Sequence, residues 1–331
     1  FDAEFLESHI LHTLLLALPD FLGVDSVFPL VETHKEVVLR AMRLKRLAYE
    51  LADLLAERKT HPLSCIIGGF AKLPHINELK AVRSQLEDAL VDLDATVELF
   101  KTLTIPNFVR ETEYIALKDQ KEYAFISGQI ASTDAGTTPV SRYLEVTNEF
   151  CVPYSTAKYT KNKRDSYMVG ALARFNLNHN QLLPKAKKAA QELGLKPPCH
   201  NPFMITAAQA VETIHAVEDS IRLIDELITR GLREETKRVK VRAGRGVGAV
   251  EAPRGILFHD YTYDKNGVLT EANCIIPTNQ NHNNIQKDME AMVPLILSRP
   301  QPEIAHTLEM LVRAYDPCVS CSTHVLNVSI K

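Results

Sequence analysis

Thr206-Ala-Ala-Gln-Ala-Val-Glu-Thr-Ile-His-Ala-Val-Glu-Asp-Ser-Ile-Arg-Leu-Ile-Asp-Glu-Leu-Ile-Thr-Arg-Gly-Leu-Arg233 decides the fold class. Val211, Ile214, Val217, Ile221, Ile224 and Ile228 recur every three or four positions, which draws one apolar stripe along a helix. Two earlier stretches repeat the pattern. From Val31 to about Arg58, Val37, Val38, Leu44, Leu47, Leu51, Leu54 and Leu55 alternate with Glu36, Arg40, Arg43, Glu50 and Glu57. From about Ile76 to Leu103 a second long helix is predicted, with Asn77 as its cap. Nearer the start, Phe5, Ile10, Leu14 and Leu18 predict a short apolar helix ended by Pro19. Helices with one apolar stripe must bury it against each other, so the long ones predict a bundle.

The rest of the chain is less regular. Tyr114 to Ile130 reads as short strands and turns, residues 132 to 164 as loop, and Gln181 to Leu193 as a helix capped by Gly194. From Gly244 the texture changes. Gly244, Gly246 and Gly248 lead into a strand from Gly255 to Tyr263; Asp264-Lys-Asn-Gly267 supplies a turn, and a return strand runs from Val268 to Thr278. Helices near 283–298 and 303–314 follow. The fold class expected is mainly α with a small β element (α+β), built on a long-helix bundle. We expect a single domain over 1–331: a bundle from about 1–110 and 180–240, an irregular β insert at 111–180, a hairpin at 250–280, and C-terminal helices with a ligand motif at 283–331.

Composition narrows the function classes. The 331 residues are 45% hydrophobic and 24% charged, with a formal net charge of −3. Such a chain builds a core without staples. It carries no basic surplus for nucleic acid. Six irregularly spaced cysteines are not a disulfide framework and point to a reducing compartment. The longest apolar run, Leu11 to Leu18, holds His12 and stops at Pro19-Asp20, far short of the ~18 residues of a membrane span. It lacks the basic flank of a signal peptide. The chain opens on Phe1 and reads as a piece of something longer.

Three segments carry chemistry. In Asp316-Pro-Cys318-Val-Ser-Cys321-Ser-Thr-His324, two thiols three apart can face one soft metal. No second Cys-x-x-Cys exists among Cys65, Cys151, Cys199 and Cys274, so this is half of a metal site or a pair without metal. In Glu251-Ala-Pro253-Arg254-Gly255, proline limits the backbone and presents a guanidinium with five donors to an anionic ligand; the alternative is a turn with a solvated arginine. His9 and His12 lie on one helix face as metal ligands or as packing residues, with Asp20 just beyond.

These segments, in this order, resemble the large, catalytic subunit of nickel–iron hydrogenases, in the cytosolic branch with NAD(P)-, deazaflavin- or heterodisulfide-reductase-linked partners. The last segment is similar to that family's second cysteine motif. Glu251 to Gly255, Asn273-Cys-Ile-Ile-Pro277-Thr278 and Gln280-Asn281 are similar to its middle motifs. Ser8-His9-x-x-His12 with Asp20, His61-Pro62 with Gly68-Gly69, and Tyr167-Met-Val-Gly170-Ala-Leu-Ala-Arg174 match further blocks. One departure matters: the family's first cysteine pair is absent and is expected before Phe1, so the chain as given supplies two of four thiolates.

The resemblance implies an activity, heterolytic cleavage of H2, at a Ni–Fe centre whose iron carries CO and cyanide. It implies Cys318 as the terminal nickel ligand and Cys321 as the ligand shared by nickel and iron. Arg254 is implied at the open metal position, oriented by Asp20 and Asp316, and Pro253, Pro277 and Thr278 as the wall around the diatomic ligands. His324 and the Cys274 carbonyl are implied as ligands of Mg2+ or another divalent ion. Implied partners are an iron–sulfur small subunit, flavin- or heterodisulfide-reductase-type acceptor subunits, and a maturation endopeptidase that cuts after His324; the implied location is cytoplasmic. The alternatives are a same-fold relative such as the quinone-reductase subunit of respiratory complex I, against which the two cysteines argue, or a non-catalytic assembly subunit with a structural metal at the Cys-x-x-Cys.

Overall fold

The computed structural model describes residues 1–234 and 239–323. The chain divides into two compact units. The first comprises Phe1–Thr104, Leu183–Gly194 and Gln209–Val241. Its long helices bury the expected stripes. Lys35–Ala56 buries Val37, Ala41, Leu44, Leu47 and Leu51, and Ile76–Lys101 buries Leu79, Val82, Leu86, Leu93 and Val97. The helix Ile205–Arg230 buries Val211, Ile214, Val217 and Ile224, while Ile221 and Ile228 are half-buried.

Two helix ends differ from expectation. Asn77 is already inside its helix. The cap is His75, whose extended backbone turns its N–H to the Glu78 carboxylate at 2.9 Å. Pro19 does not end the first helix: Asp2–Ile10 runs into a π-helical stretch, Leu11–Ala17, and then Leu18–Phe21. The wider turn changes the donor pattern just ahead of the proline, so its missing N–H breaks nothing. Between the two long helices Lys35–Ala56 and Ile76–Lys101, Cys65–Ile66 pairs with Gly69–Phe70 as a minimal hairpin.

The second unit comprises Ile105–Leu182, Leu195–Ala208 and Arg242–Lys331. One sheet runs in the order Gly136–Thr138, Gln129–Ser132, Glu113–Lys118, Tyr167–Met168, with only the last pair parallel. The other is antiparallel: Gly244–Ala252, Gly255–Tyr263, Leu269–Ile275. Their shared core holds Ile115, Leu117, Tyr143, Tyr167, Ile256, Phe258 and Ile275.

The first strand of the second sheet corrects the sequence reading, which treats Gly244, Gly246 and Gly248 as a lead-in. They pair with Tyr263, Tyr261 and His259, and a Cβ on any of them would meet only open space. Val247 and Ala249, on the alternate positions, pack on the core. The strand therefore has the period of two of any half-buried strand, with glycine at the outward positions. A second correction concerns Pro277 and Thr278. The return strand ends at Ile275, and Pro277 opens the helix Pro277–Ile296, a position that suits a residue without an N–H. The helix Gln301–Ala314 then leads to the cysteine turn. Among the described residues, no helix is long and apolar enough to cross a membrane.

Candidate metal centre

Arg254 sits on a two-residue turn. Ala252 and Gly255 pair across the ladder, so Pro253 and Arg254 make the connection. The Arg254 Nε donates to the Asp316 carbonyl oxygen at 2.6 Å, and Nη2 donates to Asp316 Oδ1 at 2.8 Å. The guanidinium keeps 30% exposure, the Asp316 side chain only 5%. Both bonds are charge-assisted and fix the plane of the guanidinium. Asp316 also holds φ at +52°, a left-handed conformation that costs a non-glycine residue about 1–3 kcal/mol. That kink presents its backbone and side-chain oxygens together to Arg254, and Pro317 prevents the preceding helix from continuing.

Cys318 begins the next turn, and its N–H donates to Thr278 Oγ1 at 3.1 Å. A single helical turn, Val319–Ser322, brings Cys321 back, with the Cys321 N–H bonded to the Cys318 carbonyl at 3.1 Å. Where the sequence predicts free thiols, the two sulfurs are bonded to each other across a Cα separation of 5.3 Å. One turn puts two cysteines inside bonding range, and the same convergence lets both face one ion once reduced, since the thiolate is the ligand. Two soft donors on one turn fit one side of a nickel–iron site. Among the described residues no group of three or more His, Cys, Asp and Glu gathers to complete it.

The second unit thus brings together Arg254, Asp316, Thr278 and the two cysteines. Pro253 and Pro277 are buried within it, at the Arg254 turn and at the first turn of the helix that carries Thr278. Cys274 lies opposite His259 on the last strand, with its sulfur 3.5 Å from both His259 Nδ1 and the Tyr261 hydroxyl. Asp20 belongs to the first unit, buried at the end of Leu18–Phe21. His324 lies outside the described residues. His9 and His12 are buried helix-packing residues, with His9 Nε2 2.8 Å from Glu212 Oε2 and His12 Nδ1 2.5 Å from Gln209 Oε1.

Sequence reasoning gave no role to the groups around the Arg254 turn. Arg174 and Glu251 form a fully buried ion pair at 2.8 Å, and Gln280 Nε2 donates to the Ile256 carbonyl at 2.7 Å. The available signal was a lone charge, Arg174, inside the apolar helix Ala171–Asn178.

Residues 110–324 match the family model described as nickel-dependent hydrogenase. The alpha subunit of sulfhydrogenase 1 from Pyrococcus furiosus is 33% identical over 98% of this chain and 76% of its own length. The vhc-type F420-non-reducing hydrogenase of Methanococcus voltae has a subunit that is 24% identical, over 98% of this chain and 75% of its own length. Among solved structures, an NAD+-reducing NiFe hydrogenase in the H2-reduced state superposes with a TM-score of 0.86 at 24% identity, covering 98% of this chain and 78% of that one. That likeness shows a shared fold. With the family model spanning most of the chain and a relative at one-third identity spanning nearly all of it, this chain belongs to the nickel-dependent hydrogenase family.

Proposed function

We propose that the chain is the catalytic large subunit of a nickel–iron hydrogenase and that the Arg254 turn and the Cys318–Cys321 turn are its own contribution to the active site. The observation that carries this reading is the ion pair between Arg254 and Asp316, two residues before Cys318. Cys318 and Cys321 would hold the metals from one side, together with a second thiolate pair. When bound, the nickel–iron centre supplies heterolytic cleavage of H2. Arg254 presents N–H donors and no acceptor, so it would act as a donor that polarises H2 rather than as a base. Asp316 fixes its orientation. Cys318, once reduced to a thiolate, would take up the proton on its sulfur. Thr278 accepts from the Cys318 N–H, and its own hydroxyl hydrogen would then serve as a donor to a cyanide held by the bound centre. Pro253 and Pro277 add surface without further N–H donors, suited to CO. Mg2+ or another divalent ion on the Cys274 carbonyl and His324 completes the proposed metal inventory.

Electrons leave through a partner. The four remaining cysteines are free and scattered along the sequence, whereas an iron–sulfur cluster takes about four thiolates together. An iron–sulfur small subunit is the proposed acceptor, with flavin- or heterodisulfide-reductase-type subunits beyond it and a maturation endopeptidase acting after His324 in the cytoplasm. The test uses the full-length chain matured with its small subunit. We expect nickel and iron in each chain and H2-dependent reduction of a viologen dye. Cys318→Ser should lose more nickel affinity than the 10–100-fold, roughly, that changes outside the ligand set cost. A Cys318→Ser enzyme that keeps its nickel and its rate sinks the reading.

A further inference from the structure

The turn that carries Arg254 is fastened by side chains from other elements. Arg174 Nη1 donates to the Ala252 carbonyl at 2.9 Å and to Glu251 Oε2 at 2.8 Å, and Nη2 donates to the Pro253 carbonyl at 2.8 Å. Glu251 is locked in turn: its Oε1 accepts the Leu117 N–H at 2.7 Å, and its own N–H donates to the Phe125 carbonyl at 2.7 Å. On the other side of the turn, Gln280 holds the Ile256 carbonyl. Gly170, which opens the helix of Arg174, lies directly against the turn, where a Cβ would come within 2.9 Å of the Arg254 carbonyl oxygen. A Cβ on Gly255 would come within 2.4 Å of Val169 Cγ2. Asn281 brackets Val169, accepting its N–H at 2.9 Å and donating to its carbonyl at 3.2 Å.

A guanidinium and a carboxylate with no exposed surface are a weak way to add stability, since apolar residues of equal volume do as well without the desolvation penalty. They are a strong way to fix position. The planar fork spans two successive carbonyls and a carboxylate, and no other side chain reproduces that set of angles.

We propose that Arg174 is a positioning residue for the reaction: with Glu251 as counter-ion it fixes the Pro253–Arg254 peptide, so that the Arg254 guanidinium meets Asp316 in one orientation. The consequence for catalysis rests on the hydrogenase reading; the consequence for the turn does not. Arg174→Lys keeps the charge balance with Glu251 but loses the fork.

In the matured two-subunit enzyme, Arg174→Lys should lower H2-dependent dye reduction about tenfold to a hundredfold at unchanged nickel content, the effect expected of a misplaced group. In an Arg254→Lys background it should lower the rate no further, because it acts through Arg254. In the metal-free protein, amide hydrogen exchange should quicken at Ala252, Arg254, Gly255 and Ile256 and also at Asp316 and Cys318, with the rest of the chain unchanged. Unchanged exchange at Asp316 and Cys318, or an equal rate loss in the Arg254→Lys background, overturns the proposal. A wild-type enzyme without dye reduction would defeat the hydrogenase reading instead, and the exchange result would still decide the clamp. If Arg174→Lys does not fold, the charge-free pair Arg174→Gln with Glu251→Gln carries the same measurements.

Discussion

The two units use buried polar side chains in different ways. In the first, His9 meets Glu212 and His12 meets Gln209, side chain to side chain between helices whose backbones need nothing from them. In the second, Arg174, Glu251, Gln280 and Asn281 bond to peptide groups of Ala252, Pro253, Leu117, Ile256 and Val169. The cause is regularity. A helix satisfies its own N–H and C=O groups, so a buried polar residue on it is free to specify which neighbour it packs on. A buried turn leaves carbonyls unclaimed, and each must find a donor. The side chain that supplies it also fixes where the turn lies. Polar burial therefore sets helix pairing in one unit and the coordinates of a functional residue in the other.

If that contrast is real, truncation should cost more at the turn than in the bundle. Glu251→Ala leaves the Arg174 charge buried without its counter-ion and the Leu117 N–H without its acceptor. We expect a loss of about 3–5 kcal/mol, read by denaturant unfolding of the subunit. Glu212→Ala in the bundle removes the side-chain contact to His9 but takes no partner from a peptide group, so about 1–3 kcal/mol is expected by the same method. Equal losses at the two sites would break the comparison.

The same distinction explains what the sequence could reveal. The long helices are legible because each carries its apolar stripe at its own spacing, as Leu79, Val82, Leu86, Leu93 and Val97 do. The strand Gly244–Ala252 is not, because its outward positions are glycines and only Val247 and Ala249 mark the inner face. Pro19 misleads because the helix reaches it through a π-helical stretch, Leu11–Ala17, that the apolar spacing does not mark. The Arg254–Asp316 pair joins residues 62 apart, and spacing alone offers no way to couple them; motif order supplied both names. Arg174 shows the limit most clearly. Its acceptors include one carboxylate and two backbone carbonyls, and a carbonyl has no residue identity to read.

The rule should follow local irregularity rather than the unit, and the first unit contains a place to test that. At Leu183, just before the helix Pro184–Glu192, the chain is not helical, and there a buried and a half-buried side chain bond to peptide groups. His215 Nδ1 accepts the Leu183 N–H at 3.2 Å, and Glu218 accepts the N–H groups of Lys185 and Ala186 at 3.0 Å each. An accepting Nδ1 must be unprotonated. Burial accordingly pushes the His215 pKa down to about 4, against the opposing pull of Asp219 and Glu212. The unfolded chain binds this proton near 6.5 and the folded one only near 4, so between those values unfolding takes up a proton. Stability from this group is complete above pH 6.5 and falls as pH drops towards 4, by about 0.7 kcal/mol between pH 7 and pH 6. His215→Gln keeps an oxygen for the Leu183 N–H but cannot titrate. The difference between wild-type and variant unfolding free energies should therefore change by that amount over this single pH unit. A difference that stays constant with pH would mean that His215 does not hold the Leu183 joint as a neutral acceptor. The Leu183 joint would then rest on Glu218, through the Lys185 and Ala186 N–H groups, without His215.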